Sequence, residues 1–349
     1  MKLAIFLTST FSCLLAVDAF PLFNRATDPN TVLSVLAQQP DLSIWSGFIQ
    51  KSGGDNPNPA FEERFNSPLD TRNYTVFAPT NAAMSKIPKA TLDLLARSQS
   101  YELLESLVRL HITEGMFTAL DLTSANAQSP MTAIEGFPLA VSVTPATEAG
   151  QQPKYKLNDV GLTLTDIPAS NGRIHTLDAM LNPYSNYFGV SNSSAKPAGG
   201  SPPQGPNTTM LDVVESDPRL STLHTQIGNV DPEFLSRLSL SKPENERQIF
   251  LAASNDAFQN VAVNSMSAPS NVGLSRYLLR FGMLTGDLSA LNMMVEGQVQ
   301  SVSGFNVTVK KRGEAWVVGN AAVVERDICT GNGCVWIIDK VLDPLSGAL

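Results

Sequence analysis

Thr75-Val76-Phe77-Ala78-Pro79-Thr80-Asn81-Ala82-Ala83-Met84 is answered far along the same chain by Ile249-Phe250-Leu251-Ala252-Ala253-Ser254-Asn255-Asp256-Ala257-Phe258. In each, a short apolar run meets a small polar residue and an Asn, the pattern of a buried strand that stops and hands over to a helix. Pro79 breaks the first run, and Thr80 or Asn81 can cap the helix after it, as Ser254 or Asn255 can in the second. Landmarks on either side recur in the same order. Upstream, Thr31-Val32-Leu33-Ser34-Val35-Leu36 with Pro40-Asp41-Leu42-Ser43 matches Thr209-Met210-Leu211-Asp212-Val213-Val214 with Pro218-Arg219-Leu220-Ser221. Downstream, Asp166-Ile167 and Asn171-Gly172 through Asp178 and Pro183 match Asp327-Ile328 and Asn332-Gly333 through Asp339 and Pro344. The chain is therefore an internal repeat.

The matched landmarks stand closer together in the second copy, so the first carries extra loop residues. Ser52–Pro59 and Thr144–Pro153, both polar and turn-rich, are the natural places for them. Between the copies, residues 185–208 lose periodicity and become rich in Pro, Gly and Ser, which reads as a linker. We place one domain at 28–184 and the other at 209–345. Within each, helical periodicity comes first: Leu103, Leu104, Leu107, Val108 and His111 share one helix face, as do Leu274, Tyr277, Leu278 and Phe281. Period-two alternation comes next, in Leu162-Thr163-Leu164-Thr165 and Phe305–Val309. The class is α+β.

Composition narrows the function. In 349 residues, 43% hydrophobic and 16% charged content supports packed cores and argues against a disordered chain. A net charge of −8 without a basic run argues against a nucleic-acid binder. Lys2 followed by an apolar stretch to Val17 reads as a signal peptide over residues 1–19, cleaved after Ala19. No later stretch has the length of a membrane span and no hydrophobic tail marks a lipid anchor, so neither is expected.

The mature chain would keep Cys329 and Cys334, which flank a Thr-Gly-Asn-Gly turn. We expect a disulfide there, with two buried thiols as the alternative. Sequons at Asn73, Asn192, Asn207 and Asn306 fit N-glycosylation of an exported protein, and alternation around Asn306 turns it away from Phe305, Val307 and Val309.

The landmarks resemble the fasciclin domain in both copies. The segment Phe77, Pro79, Thr80 and Asn81 and the closing run from Asn171 and Gly172 through Asp178 to Pro183 read like the family's motifs. Asn255, Asn332, Gly333, Asp339 and Pro344 repeat them, with Ala253 in place of the first proline. The resemblance implies two tandem fasciclin-like domains, each a wedge of strands packed with helices, and a role in adhesion or matrix organisation. The implied partners are cell-surface, cell-wall or matrix glycans or proteins. Secretion is the implied destination, the vacuole lumen reached by the secretory route the alternative. A Tyr-His segment that some animal members use for integrin contact falls here on Leu110-His111, without its Tyr, and on Phe281-Gly282 in the second copy.

No catalytic, cofactor-binding or metal-binding set is expected, an enzyme with an unrecognised site in one copy being the alternative. Nucleophile elbows, His-Glu-x-x-His and phosphate-binding glycine loops are missing from the sequence, and His111, His175 and His224 have no ligand spacing. His111, on an apolar face, reads as a hydrogen-bonded core residue. The recurring Asp178 and Asp339 read as structural acceptors. Tyr184, Tyr187 and Phe188 either pack the linker against the first domain or stack on a partner.

Overall fold

The computed structural model describes residues 30–51, 65, 72–124, 132, 137–146, 151–182, 204–243, 246–259, 261, 263–285, 296–313 and 315–346. The signal peptide, Pro183, Tyr184, Tyr187, Phe188, Asn192 and the segment 52–59 lie outside them.

In the first half, α1 (Val32–Gln38) begins at Thr31, whose side chain accepts from the Ser34 amide. Then come α2 (Ser43–Lys51), β1 (Tyr74–Pro79), α3 (Asn81–Met84), α4 (Lys89–Leu95), α5 (Tyr101–Leu110), β2 (Ile112–Glu114) and α6 (Ala119–Thr123). The strands β3 (Val141–Thr144), β4 (Lys154–Leu157), β5 (Val160–Ala169) and β6 (Gly172–Leu177) complete it. They form one sheet in the order β2-β1-β6-β5-β4-β3.

The second half repeats the plan with α7 (Met210–Ser216), α8 (Ser221–Val230), α9 (Pro232–Arg237), β7 (Gln248–Ala253), α10 (Val263–Met266), α11 (Val272–Phe281) and β8 (Met283–Leu284). After these run β9 (Gly297–Gln300), β10 (Asn306–Arg312), β11 (Ala315–Val318), β12 (Ala321–Cys329) and β13 (Gly333–Ile338), in a sheet ordered β8-β7-β13-β12-β11-β10-β9. The result is two tandem α+β units.

Each sheet is organised on one parallel pair, β1 with β6 and β7 with β13; the neighbouring pairings are antiparallel. A parallel pair needs a long crossover, and the helices and outer strands between its two members provide it. Burial on both faces explains why β1, β7 and β13 read as unbroken apolar runs. Both long strands β5 and β12 kink where an Asp takes the left-handed conformation, Asp166 at φ 52° and Asp327 at φ 61°, next to a register shift in the pairing with β6 and β13. The repeated Asp-Ile pair is thus a bulge kept in both units.

The expected helix caps are redistributed. Thr80 does cap α3, accepting from the Ala83 amide at 3.1 Å. Asn81 instead reaches sideways to α2: its Oδ1 accepts from the Ile44 amide at 3.0 Å, and its Nδ2 donates to the Pro40 carbonyl at 2.9 Å and to Ser43 Oγ at 3.0 Å. Asn255 does the same to α8, accepting from the Thr222 amide and donating to the Pro218 carbonyl and Ser221 Oγ. Ser254 makes no side-chain cap, and the turn after it is a short 3-10 helix, Asn255–Phe258. Long-range amide geometry therefore took over a residue read as a local cap.

The two units touch through equivalent elements. Helices α5 and α11 pack together, and a methyl built on Gly273 would stand 3.6 Å from Cβ of Glu102, its counterpart in the other helix. Glu102 Oε1 accepts from Arg276 at 2.9 Å. At the far ends, the Asn182 side chain hydrogen-bonds the carboxyl of Asp343, again its counterpart. Contacts between equivalent residues are the mark of a two-fold relation, so the pair is arranged as an internal pseudo-dimer.

Candidate functional site

The motif residues form the scaffold. Asn171 Oδ1 accepts from the Val32 amide at 2.8 Å while its Nδ2 donates to the Phe65 carbonyl at 2.8 Å, so one buried amide ties the start of α1 to the β5–β6 turn. Asn332 repeats this with the Met210 amide and the Leu238 and Leu240 carbonyls. Beside them the backbone passes too close for a side chain: a Cβ on Gly172 would fall 1.9 Å from the Tyr74 carbonyl oxygen, and one on Gly333 2.6 Å from that of Gln248. Asp178 and Asp339 accept from the Gly161 and Ala322 amides at 2.8 and 2.7 Å, latching β5 and β12 to the closing segment. Phe77 is fully buried and Pro344 is buried as well.

His111 is fully buried. Its Nδ1 donates to the Leu107 carbonyl at 2.7 Å, its Nε2 accepts from the Leu181 amide at 2.9 Å, and the Trp45 ring lies 4.5 Å away. These partners fix a neutral ring, and burial pushes its pKa down to about 4. The second unit has Gly282 here, where a Cβ would meet the Leu251 carbonyl oxygen at 2.7 Å. His175 is also buried, donating to the Phe117 carbonyl at 2.8 Å, accepting from the Asp166 amide at 3.3 Å and stacked on Phe77; burial lowers its pKa as well. His224 sits near the surface, 3.8 Å from Glu215. The structure gathers none of the three at a common solvent-facing point. Among the described residues, no group of three or more His, Cys, Asp and Glu is placed to hold a metal ion, and no helix is long and apolar enough to cross a membrane.

Cys329 and Cys334 are directly opposite each other on β12 and β13 and are joined by a disulfide. The bridged turn also holds the end of the interdomain segment. Gly205 donates to the Cys329 carbonyl at 3.0 Å, and Gly331 donates to the Thr208 carbonyl at 2.8 Å. The last residues of the span read as linker are therefore bound to the second unit. Asn73, Asn207 and Asn306 are all exposed, with Phe305, Val307 and Val309 buried opposite Asn306.

What the sequence did not offer is a groove of about 590 Å³ between the units. The first unit contributes Gln99, Tyr101 and Glu102 from the start of α5 and the 3-10 turn before it. The second contributes Asp231 at the start of α9, with Arg276 and Arg280 from α11. Arg276 pairs with Glu102, and Arg280 donates to Asp231, at 3.0 Å through one terminal nitrogen and again through Nε. Desolvation raises the pKa of Glu102 although Arg276 opposes it. Below the groove, the buried Tyr277 stands in a T-shaped contact with Phe305. Tyr101 leaves 42% of its surface exposed. These residues lie on the polar edges of helices whose apolar faces are legible, and nothing in their spacing pairs them across some 170 positions.

Two tandem α+β units, each closed by the same Asn-Gly and Asp latches, define a repeat protein with a scaffold common to both halves. The fasciclin domain model matches residues 60–183 and 240–344, and the chain belongs to that family. Among relatives, Immunogenic protein MPT70 of Mycobacterium tuberculosis is 30% identical over 45% of this chain and 69% of its own length. Cell surface glycolipoprotein MPB83 of Mycobacterium bovis is 28% identical over 45% of this chain and 62% of its own. Among solved structures, a FAS1 domain pair from the insect cell adhesion molecule Fasciclin I matches at 13% identity and a TM-score of 0.32, covering 91% of this chain and 97% of that one.

Proposed function

We propose that the chain is an exported, N-glycosylated fasciclin protein that acts by adhesion-type binding, at a cell surface, cell wall or matrix, without catalysis. Family membership supports the adhesion-type role. The observation that carries the non-catalytic half is the fate of the histidines, since His111 and His175 spend both ring nitrogens on backbone partners inside the core and keep none for a substrate. In this reading residues 1–19 are removed on export, domains span 28–184 and 209–345, and exposed Asn73, Asn207 and Asn306 carry glycans. The name of MPB83 places that relative at a cell surface and fits the same destination.

Retention of the purified, glycosylated chain on intact cells and isolated walls is the test, with a tagged copy locating the protein in its own cells. Saturable retention and an extracellular signal are expected. Lack of retention together with a vacuolar signal would sink this reading.

A further inference from the structure

We infer that the groove between the two units is a binding site for an uncharged oligosaccharide. The inference rests on the binding role proposed above and gives that role an address and a ligand class. At about 590 Å³ the groove falls within the roughly 300–1,000 Å³ of small-molecule sites. Its lining is polar, which disfavours a lipid or another apolar ligand.

The charges in the groove are already matched. Glu102 and Asp231 each hold one guanidinium, and the remaining carboxylate on the rim, Glu233, is itself paired with Arg237. A charged ligand would have to break these pairs or be repelled by one member of each. An uncharged polyol would not. Each guanidinium has five N–H donors. Arg276 gives one to Glu102 and Arg280 gives two to Asp231, while about a third of each side chain is exposed. Donors therefore remain, already oriented by a carboxylate, beside the Gln99 amide and the exposed rim carboxylate of Glu233, which can accept. That alternation of fixed donors and acceptors suits vicinal hydroxyls.

The ring of Tyr101 supplies the second element. It stands half out of the protein at the groove wall, although tyrosine normally hides most of its ring. A sugar presents a flat patch of C–H groups on one face and hydroxyls around its edge. The ring can cover the first while the paired side chains meet the second. Both units furnish essential walls, so the site exists only in the joined chain.

Titration of the full-length protein with soluble neutral oligosaccharides, namely β-glucan, mannan and chitin fragments, tests the inference by calorimetry. At least one should bind. Tyr101→Ala should weaken it about tenfold or more, Tyr101→Phe should retain it, and Arg276→Gln should weaken it without lowering the melting temperature of either unit. Should Arg276→Gln separate the units, the exposed Tyr101 still decides. Sulfated or uronic-acid oligosaccharides binding more tightly than neutral ones would overturn the assignment. So would neutral binding that survives Tyr101→Ala, or no binding by any sugar while retention on cells persists, which would leave the adhesive reading standing. Sugar binding with no cell retention would sink only that reading.

Discussion

Mild acid should unfold the first unit before the second. The cause is His111, whose pKa is about 4 inside the protein against 6.5 unperturbed, with His175 shifted in the same direction. A base depressed on folding binds its proton better in the unfolded chain. Its stabilising contribution is thus complete above the unfolded value and is lost as pH falls toward the folded one. At about 1.4 kcal/mol per pH unit, His111 alone should cost the first unit about 3 kcal/mol between about pH 7 and pH 4, a large share of a marginal stability of about 5–15 kcal/mol. Neither buried histidine has a counterpart in the second unit, which carries Gly282 and Trp336 at those places. There Asp343 works the other way: burial raises its pKa to about 6 despite hydrogen bonds from the Leu345 amide and Asn182. Its contribution is fullest in acid and fades as pH rises through about 6. Hydrogen exchange with peptide-level mass readout, corrected for intrinsic rates, resolves the two halves at about pH 7 and pH 4.5. Peptides of β1 and α5 should lose protection by one to two orders of magnitude, and those of β7 and β13 should not. His111→Gln should be less stable at neutral pH yet lose much of the pH dependence. Equal loss of protection in both units, or an unchanged pH slope in His111→Gln, would refute the reasoning.

Other consequences are equally open to measurement. Asn81→Ala and Asn255→Ala remove the same set of hydrogen bonds and should each lower the stability of their own unit by about 1–2 kcal/mol in urea titrations. Gly172→Ala forces a methyl onto the Tyr74 carbonyl and should prevent the first unit from folding, read as loss of its cooperative melting transition while the second unit's remains. Cys329→Ser with Cys334→Ser opens a short loop and should cost the second unit about 2 kcal/mol, with faster exchange of the Gly205 and Gly331 amides. Two alkylatable thiols in the native wild type would contradict the bridge. Asn→Gln changes at 73, 207 and 306 should each remove one glycan's mass from the exported protein.

The division between what the sequence discloses and what it hides tracks the range of the interactions. Periodicity is local, so the helices α5 and α11, the buried strands β1 and β7 and the outward turn of Asn306 are all legible. The repeat adds long-range information, because a residue kept in both copies has a reason that survives divergence of its neighbours. That is how Asn171, Gly172 and Asp178 stand out. It does not say what the reason is: Asn81 looks like a cap for the helix it opens and in fact serves one that ends thirty residues earlier. The groove is hidden for the opposite reason. It is built where the copies differ, with Gly273 facing Glu102 and Arg276 standing where the first helix has Glu105. If both helices carried a glutamate at each of these positions, a two-fold contact would set like charges against each other. The second copy instead has a space at one of these positions and a guanidinium at the other, so opposite charges meet. The asymmetry of the repeat is thus what lets its halves join, and the groove arises from the joining.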